Sequence, residues 1–149
     1  MYKLIVKKTV SNNFKALSKG NFQALLDTVS DNVEHHFLGD SSIGGYRKGK
    51  EKLQQWFERV FRLFPSLLFD VKNIIVTGMP WNTVAVVEWS AGVTPLKGDP
   101  YINTGVHIIR LKWGKAVKIS AYENADLVAK ACRVMLDKGV AEAGFAQIN

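Results

Sequence analysis

Residues 101–124 read YINTGVHIIRLKWGKAVKISAYEN, and their texture decides the class of fold. β-Branched and aromatic residues dominate, and a Gly-Lys pair at 114–115 interrupts them. Two such runs around a short turn signal predict an antiparallel hairpin. The segments LLFDVKNIIVTG (67–78) and NTVAVVEWSAG (82–92) have the same texture and equally short connections, so four consecutive strands are predicted from Leu67 onward. Gly92, Gly98 and Gly105 are expected to mark bulges or bends where this sheet curves.

Upstream, the period changes from two to between three and four. Val6, Val10, Phe14 and Leu17 form one helical face across residues 3–19, ended by Gly20. Asn21 can cap a short second helix carrying Phe22, Leu25, Leu26 and Val29. Ser30-Asp31-Asn32 reads as a turn, VEHHFLGD (33–40) as a strand, and GDSSIGGYRKG (39–49) as a loop. A third helix runs from about Lys50 to Phe64, with Leu53, Trp56, Phe57, Val60, Phe61 and Phe64 as an aromatic stripe and Pro65 as its stop. After the hairpin, residues 125–138 form a final helix with Leu127, Ala131, Val134 and Met135 apolar, and GVAEAGFAQIN is left as a tail. Helices come early and strands late, which is an α+β order rather than alternating βαβ units. No linker or repeat divides the chain, so one domain over residues 1–149 is expected.

Composition narrows the function classes. Of the 149 residues 47% are hydrophobic, enough for a substantial core, yet no run reaches the ~18–20 apolar residues of a membrane span. MYKLIVKKTV has neither the apolar block nor the cleavage site of a secretory leader, so a cytoplasmic protein is expected. Cys132 is the only cysteine, which excludes an internal disulfide and a zinc cage of cysteines; within AKACRVML it reads as a buried small apolar residue. The net charge of +7 comes from basic residues that look dispersed, without an RNA-binding or zinc-finger signature. No nucleic-acid partner, membrane partner or cofactor is expected.

Four stretches carry a family resemblance: FKALSKGNFQALLDTVSDNVEHHF, GGYRKGKEKLQQWFERV, VEWSAG and GVHIIRLKWGKAVKISAYEN. Together they resemble the nuclear transport factor 2-like superfamily, and within it the ketosteroid isomerase and SnoaL-like branch. The resemblance implies a strongly bent, mainly antiparallel sheet wrapped into a cone, helices on its concave side, a deep pocket, and a homodimer through the outer sheet face. It also implies positions for catalytic groups. The isomerase base, an aspartate near the start of the first strand, falls on His35, and the proline after it on His36. The tyrosine of the isomerase oxyanion hole falls on Asn13 or a neighbour. The aspartate of the cyclase tyrosine-x-aspartate motif falls on Asn124, in Tyr122-Glu123-Asn124, and Asp126 two residues on reads as a helix cap.

Strand alternation suggests what remains. Val33, His35 and Phe37 share a face, so His35 is expected to point inward with the apolar pair. Asn103 and His107 share one face of the predicted strand YINTGVHIIRLKWG (101–114). Glu88 is either an outward charge or a buried acid. A neutral imidazole is a competent base near neutral pH. His35 is therefore the candidate base, with His107 or Asn103 donating to a developing enolate. Trp56, Val60, Trp89 and Tyr122 are candidate walls for a small hydrophobic ligand, with Asn124 beside them and Tyr46 as a gate. His35, His107 and Glu88 have the chemistry of a metal site, but their spacing does not demand one and no metal is expected. Three functions fit: proton-transfer chemistry on a carbonyl compound, a non-catalytic binding or sensing dimer, and an adaptor. The tail is a candidate lid or partner contact.

Overall fold

The computed structural model describes residues 1–149. Its elements are α1 (Tyr2–Leu17), α2 (Gln23–Leu26), β1 (Val29–Phe37), β2 (Gly45–Lys48), α3 (Lys50–Leu63), β3 (Ser66–Met79), β4 (Asn82–Thr94), β5 (Tyr101–Lys112), β6 (Lys115–Glu123) and α4 (Ala125–Asp137), followed by a 3-10 turn at Ala141–Gly144. The six strands form one sheet in the order β2-β1-β6-β5-β4-β3. Every pairing is antiparallel except β1 with β6. The class is α+β, as the sequence order predicts.

Val6, Val10, Phe14 and Leu17 are buried, so α1 packs by the face that its periodicity marks. Leu53, Trp56, Phe57 and Val60 do the same for α3, where Leu63 is buried as well and Phe61 only half-buried. They meet the inner residues of the sheet in one continuous core of 29 side chains, which gives the fold a single hydrophobic centre rather than two. On α4 the buried set is Val128, Ala131, Cys132 and Met135. Leu127 and Val134 are only half-buried, because that face is rotated by one residue from the expected one.

Four local expectations change. The glycine-serine loop contains a strand, β2, whose Arg47 pairs with His35. Ser30-Asp31-Asn32 lies inside β1, where the pairing with β6 slips between Val29 and Glu34, so the polar trio bulges within a strand instead of ending one. The β5–β6 turn is Trp113-Gly114 rather than Gly-Lys, since Lys112 pairs with Lys115. Gly92 and Gly105 are regularly paired, Gly98 lies in the β4–β5 connection, and the sheet's irregularities fall elsewhere, at Val71/Asn73 and Arg110/Leu111. Gly105 has another cause: a Cβ there would lie 2.6 Å from Cζ2 of Trp89 and 2.5 Å from the Tyr122 carbonyl oxygen. The indole of Trp89 lies across the glycine.

Candidate functional site

Between the helices and the inner face of the sheet lies a cavity of about 120 Å³. Of its 31 lining residues 23 are hydrophobic, so each polar group there needs a reason. Val10 and Phe14 of α1 and Trp56 and Val60 of α3 face Trp89 of β4, His107 of β5 and His35 of β1 across it. Tyr101, Asn103 and Glu123 line it near the α4 end.

His35 is 2% exposed, and its Nδ1 lies 2.5 Å from Nη1 of Arg47. A guanidinium can only donate, so Nδ1 is the acceptor and the neutral ring carries its proton on Nε2. Burial, reinforced by the Arg47 charge, holds His35 well below the usual imidazole range. Arg47 is itself 1% exposed and donates to the carbonyls of Ile148 (2.8 Å) and Gly44 (2.7 Å). The C-terminal tail therefore closes over the arginine that orients the histidine. Arg59 donates to the Ala146 carbonyl at 2.8 Å and Gln147 to the Gly39 carbonyl at 3.1 Å, which fixes that tail further.

The same logic applies to His107. Trp89 Nε1 donates to its Nδ1 at 2.7 Å. An indole nitrogen also only donates, so His107 too carries its proton on Nε2. Burial pulls its pKa down to about 4. Both imidazoles are thus neutral, line the cavity and keep Nε2–H as their donor, with their basic nitrogens already occupied.

The basic group lies elsewhere. Glu123, at the end of β6, lines the cavity, and neither of its buried carboxyl oxygens has a hydrogen-bond partner. Burial pushes its pKa up to about 7, offset only slightly by the residue's own backbone N–H, which does not reach a formed hydrogen bond. Tyr101 lines the same end; burial first, then Cys132 and Glu123, push its phenol upward, so it stays protonated. Asn103 is tied down. Its Oδ1 accepts from the backbone N–H of Thr104 (2.9 Å) and Asn124 (3.1 Å), and its Nδ2 donates to the Asn124 carbonyl (3.2 Å). It splices β5 to the residue after Glu123 and so positions the carboxyl.

Of the residues expected at the site, His35, Trp56, Val60, Trp89, Asn103 and His107 line this cavity. Tyr46, Glu88, Tyr122 and Asn124 do not, and strand parity gives the reason for three of them. Trp89 points inward, so Glu88 points out and is exposed. Glu123 points inward, so Tyr122 lies outside, edge-on to His36. Arg47 points inward, so Tyr46 is exposed and donates to Oε1 of Glu34 at 2.5 Å. Asn124 caps α4, accepting from the N–H groups of Asp126 and Leu127, which is the role expected of Asp126. With Glu88 outside, the trio His35, His107 and Glu88 is not brought together, and no group of three potential metal ligands is assembled. Glu123, Tyr101 and Arg47 are not among the site residues expected from the sequence. Counting back by twos from Glu123 through Ala121 to Ile119 would have put the glutamate on the apolar face.

The sequence profile of the SnoaL-like domain matches residues 10–119. Solved structures with the same fold include a nuclear transport factor 2-like protein of unknown function from Burkholderia pseudomallei, 17% identical, covering 85% of this chain and 95% of that one, with a TM-score of 0.76. A candidate SnoaL-like polyketide cyclase from Jannaschia sp. CCS1 is 18% identical over 85% of this chain and 90% of that one, with a TM-score of 0.64. A protein with a ketosteroid isomerase-like fold from Catenulispora acidiphila, in complex with trimethylamine, is 15% identical over 76% and 83%, with a TM-score of 0.66. No curated protein matches the sequence.

Proposed function

Because the chain belongs to the SnoaL-like domain family, and because its cavity holds a carboxyl without a partner, we propose that it catalyses proton transfer on a small hydrophobic carbonyl compound. The observation that carries this reading is Glu123, an orphaned acid in an apolar chamber with two imidazole N–H donors. A structural glutamate at the end of a strand would be solvated or paired. Here the two carboxyl oxygens are neither, and a pKa of about 7 suits a group that must both take and return a proton.

In the proposed reaction, Glu123 carboxylate removes a proton from a carbon beside the substrate carbonyl. The electron pair moves to the carbonyl oxygen, and the Nε2–H groups of His35 and His107 stabilise the enolate as fixed neutral donors. Glu123 then returns the proton to the far carbon of a conjugated dienolate, or the enolate carbon attacks a second carbonyl of the same molecule and Glu123 gives its proton to the alkoxide so formed. These outcomes are isomerisation and cyclisation. The base role assigned to His35 on sequence grounds passes to Glu123, because Arg47 occupies the basic nitrogen of His35. The walls, Trp56, Val60, Trp89 and Phe14, suit a flat apolar substrate.

The test is solvent deuterium exchange beside the carbonyl across a panel of hydrophobic ketones. Exchange that falls about 100-fold or more in Glu123→Gln supports the reading. Equal exchange in wild type and variant overturns it. The largely apolar lining favours one alternative, a non-catalytic binder, for which the same ketones would quench tryptophan fluorescence without exchanging. A homodimer through the outer sheet face belongs to the proposal: Leu68, Gly92 and Ile102 lie side by side there with both large side chains exposed. A purified protein that sediments as a monomer would remove that part.

A further inference from the structure

Part of the positive charge gathers in three dimensions, with Asp27, whose carbonyl accepts from Lys115 Nζ, as an acidic neighbour. Residues 1–8, 77–84 and 110–116 hold Lys3, Lys7, Lys8, Arg110, Lys112 and Lys115, six of the twenty basic residues, and none of the thirteen acidic ones. Without them the chain is nearly neutral. The fold brings the start of α1, the β3–β4 turn and the β5–β6 turn to one end of the molecule, with Lys7 and Lys8 continuing along the side of α1 beside Lys72. Tyr2 Oη lies 2.6 Å from Thr83 Oγ1, which donates to the Met79 carbonyl at 2.7 Å. The Trp113 N–H donates to the Pro80 carbonyl at 2.7 Å, and the rings of Trp81 and Trp113 are 6.1 Å apart.

Large apolar side chains stand out among these cations. Trp113 is 73% exposed and Trp81 53%, with Leu4, Ile5 and Met79 also exposed. Trp113 is the only non-glycine residue with positive φ, at 52°, and Gly114 follows at 81°. A two-residue hairpin turn with both φ values positive favours Asn-Gly; an indole in the first position is conformationally costly and gains little burial here. Packing does not explain it.

We propose that this end of the molecule docks on the surface of an anionic lipid bilayer, with Trp81 and Trp113 at headgroup depth and the lysines against the lipid charge. The apolar groups sit on protruding turns and a helix end, the shape that enters an interface. A second copy of the chain would set six cations against six. A nucleic acid would use the cations and indoles, but Leu4, Ile5 and Met79 offer it nothing. No helix of the structure is long and apolar enough to cross a membrane, and a peripheral patch needs none. Gly114, Thr9 and Asn13 also line the internal cavity, so the patch borders one end of it. The inference stands whether or not Glu123 is catalytic.

The experiment is vesicle flotation of the full chain with phosphatidylcholine alone and with about 30% phosphatidylserine, with brominated lipids to quench tryptophan. Wild type is expected to float with the anionic vesicles, to be quenched, and to be released by salt. Trp113→Asn creates the favoured Asn-Gly turn, so it should fold at least as stably while losing binding about ten-fold. Lys112→Glu with Lys115→Glu should lose about ten-fold or more. Any of the following overturns the proposal: no flotation with anionic vesicles at low salt, flotation that Trp113→Asn leaves unchanged, or a Trp113-dependent oligonucleotide complex or dimer without vesicle binding.

Discussion

Replacing Glu123 by glutamine should make the protein more stable at alkaline pH than the wild type, and no substrate is needed to see it. In the folded chain the carboxyl titrates at about 7 instead of its ordinary 4.5, because burial disfavours the charged form. Between those values the folded state keeps a proton that the unfolded chain releases, so stability falls as pH rises through this window and levels off above 7. The full displacement corresponds to about 3 kcal/mol. Part of the residue reaches solvent, and screening brings the expected effect to about 1–2 kcal/mol. Glutamine has nearly the same shape and lacks the titration. At pH 5 the variant and the protonated wild type should differ little. At pH 8 the variant should be ahead by that 1–2 kcal/mol. Urea denaturation of both proteins at the two pH values measures the difference of differences, which cancels any fixed cost of a buried amide. If the gap between them does not change from pH 5 to pH 8, Glu123 is not held protonated by burial, and the acid–base reading loses its support.

Three further outcomes are expected. Gly105→Ala drives a Cβ into the Trp89 ring and the Tyr122 carbonyl and should cost about 3 kcal/mol in chemical denaturation; a cost near zero would mean that the indole moves freely and does not fix His107. Nitrogen-detected NMR at pH 6 should show His35 and His107 neutral with the proton on Nε2; an imidazolium at either, or a proton on Nδ1, refutes the donor assignment. Arg47→Met leaves His35 Nδ1 and the carbonyls of Gly44 and Ile148 without their donor and should cost about 2–3 kcal/mol, with faster amide exchange across residues 145–149. Unchanged exchange there would show that the tail is held without Arg47.

The fold was legible because its signals are periodic. The stripe at Val6, Val10, Phe14 and Leu17 and the β-branched runs after Leu67 each repeat one local rule several times. β2 was not legible. Its four residues, Gly45–Lys48, are a glycine and three polar or charged residues, a run no longer than the turn signals around it. It is a strand because β1 offers it an edge, which is a property of the assembled sheet. The site divides the same way. His35 and the His107–Asn103 face follow from alternation along one strand, whereas the outward turn of Glu88, Tyr122 and Tyr46 depends on which parity the core selects.

What the sequence could not supply is the protonation of the site, because His35, His107 and Glu123 are each placed by residues of other elements. His35 takes its tautomer from Arg47, which is anchored by Ile148, 101 residues further on. His107 takes its tautomer from Trp89, whose position depends on the missing side chain of Gly105. Glu123 is held by the splice through Asn103 and is left without a donor, although two imidazoles share its chamber. In the proposed reaction those imidazoles meet the substrate oxygen while the carboxyl meets its proton. Donors that saturated the carboxylate would pull its pKa back down and remove the base. In the proposed reaction the separation of the acid from the donors is what preserves the base. A substitution that gives Glu123 a hydrogen-bond donor should therefore slow proton transfer even though it stabilises the fold.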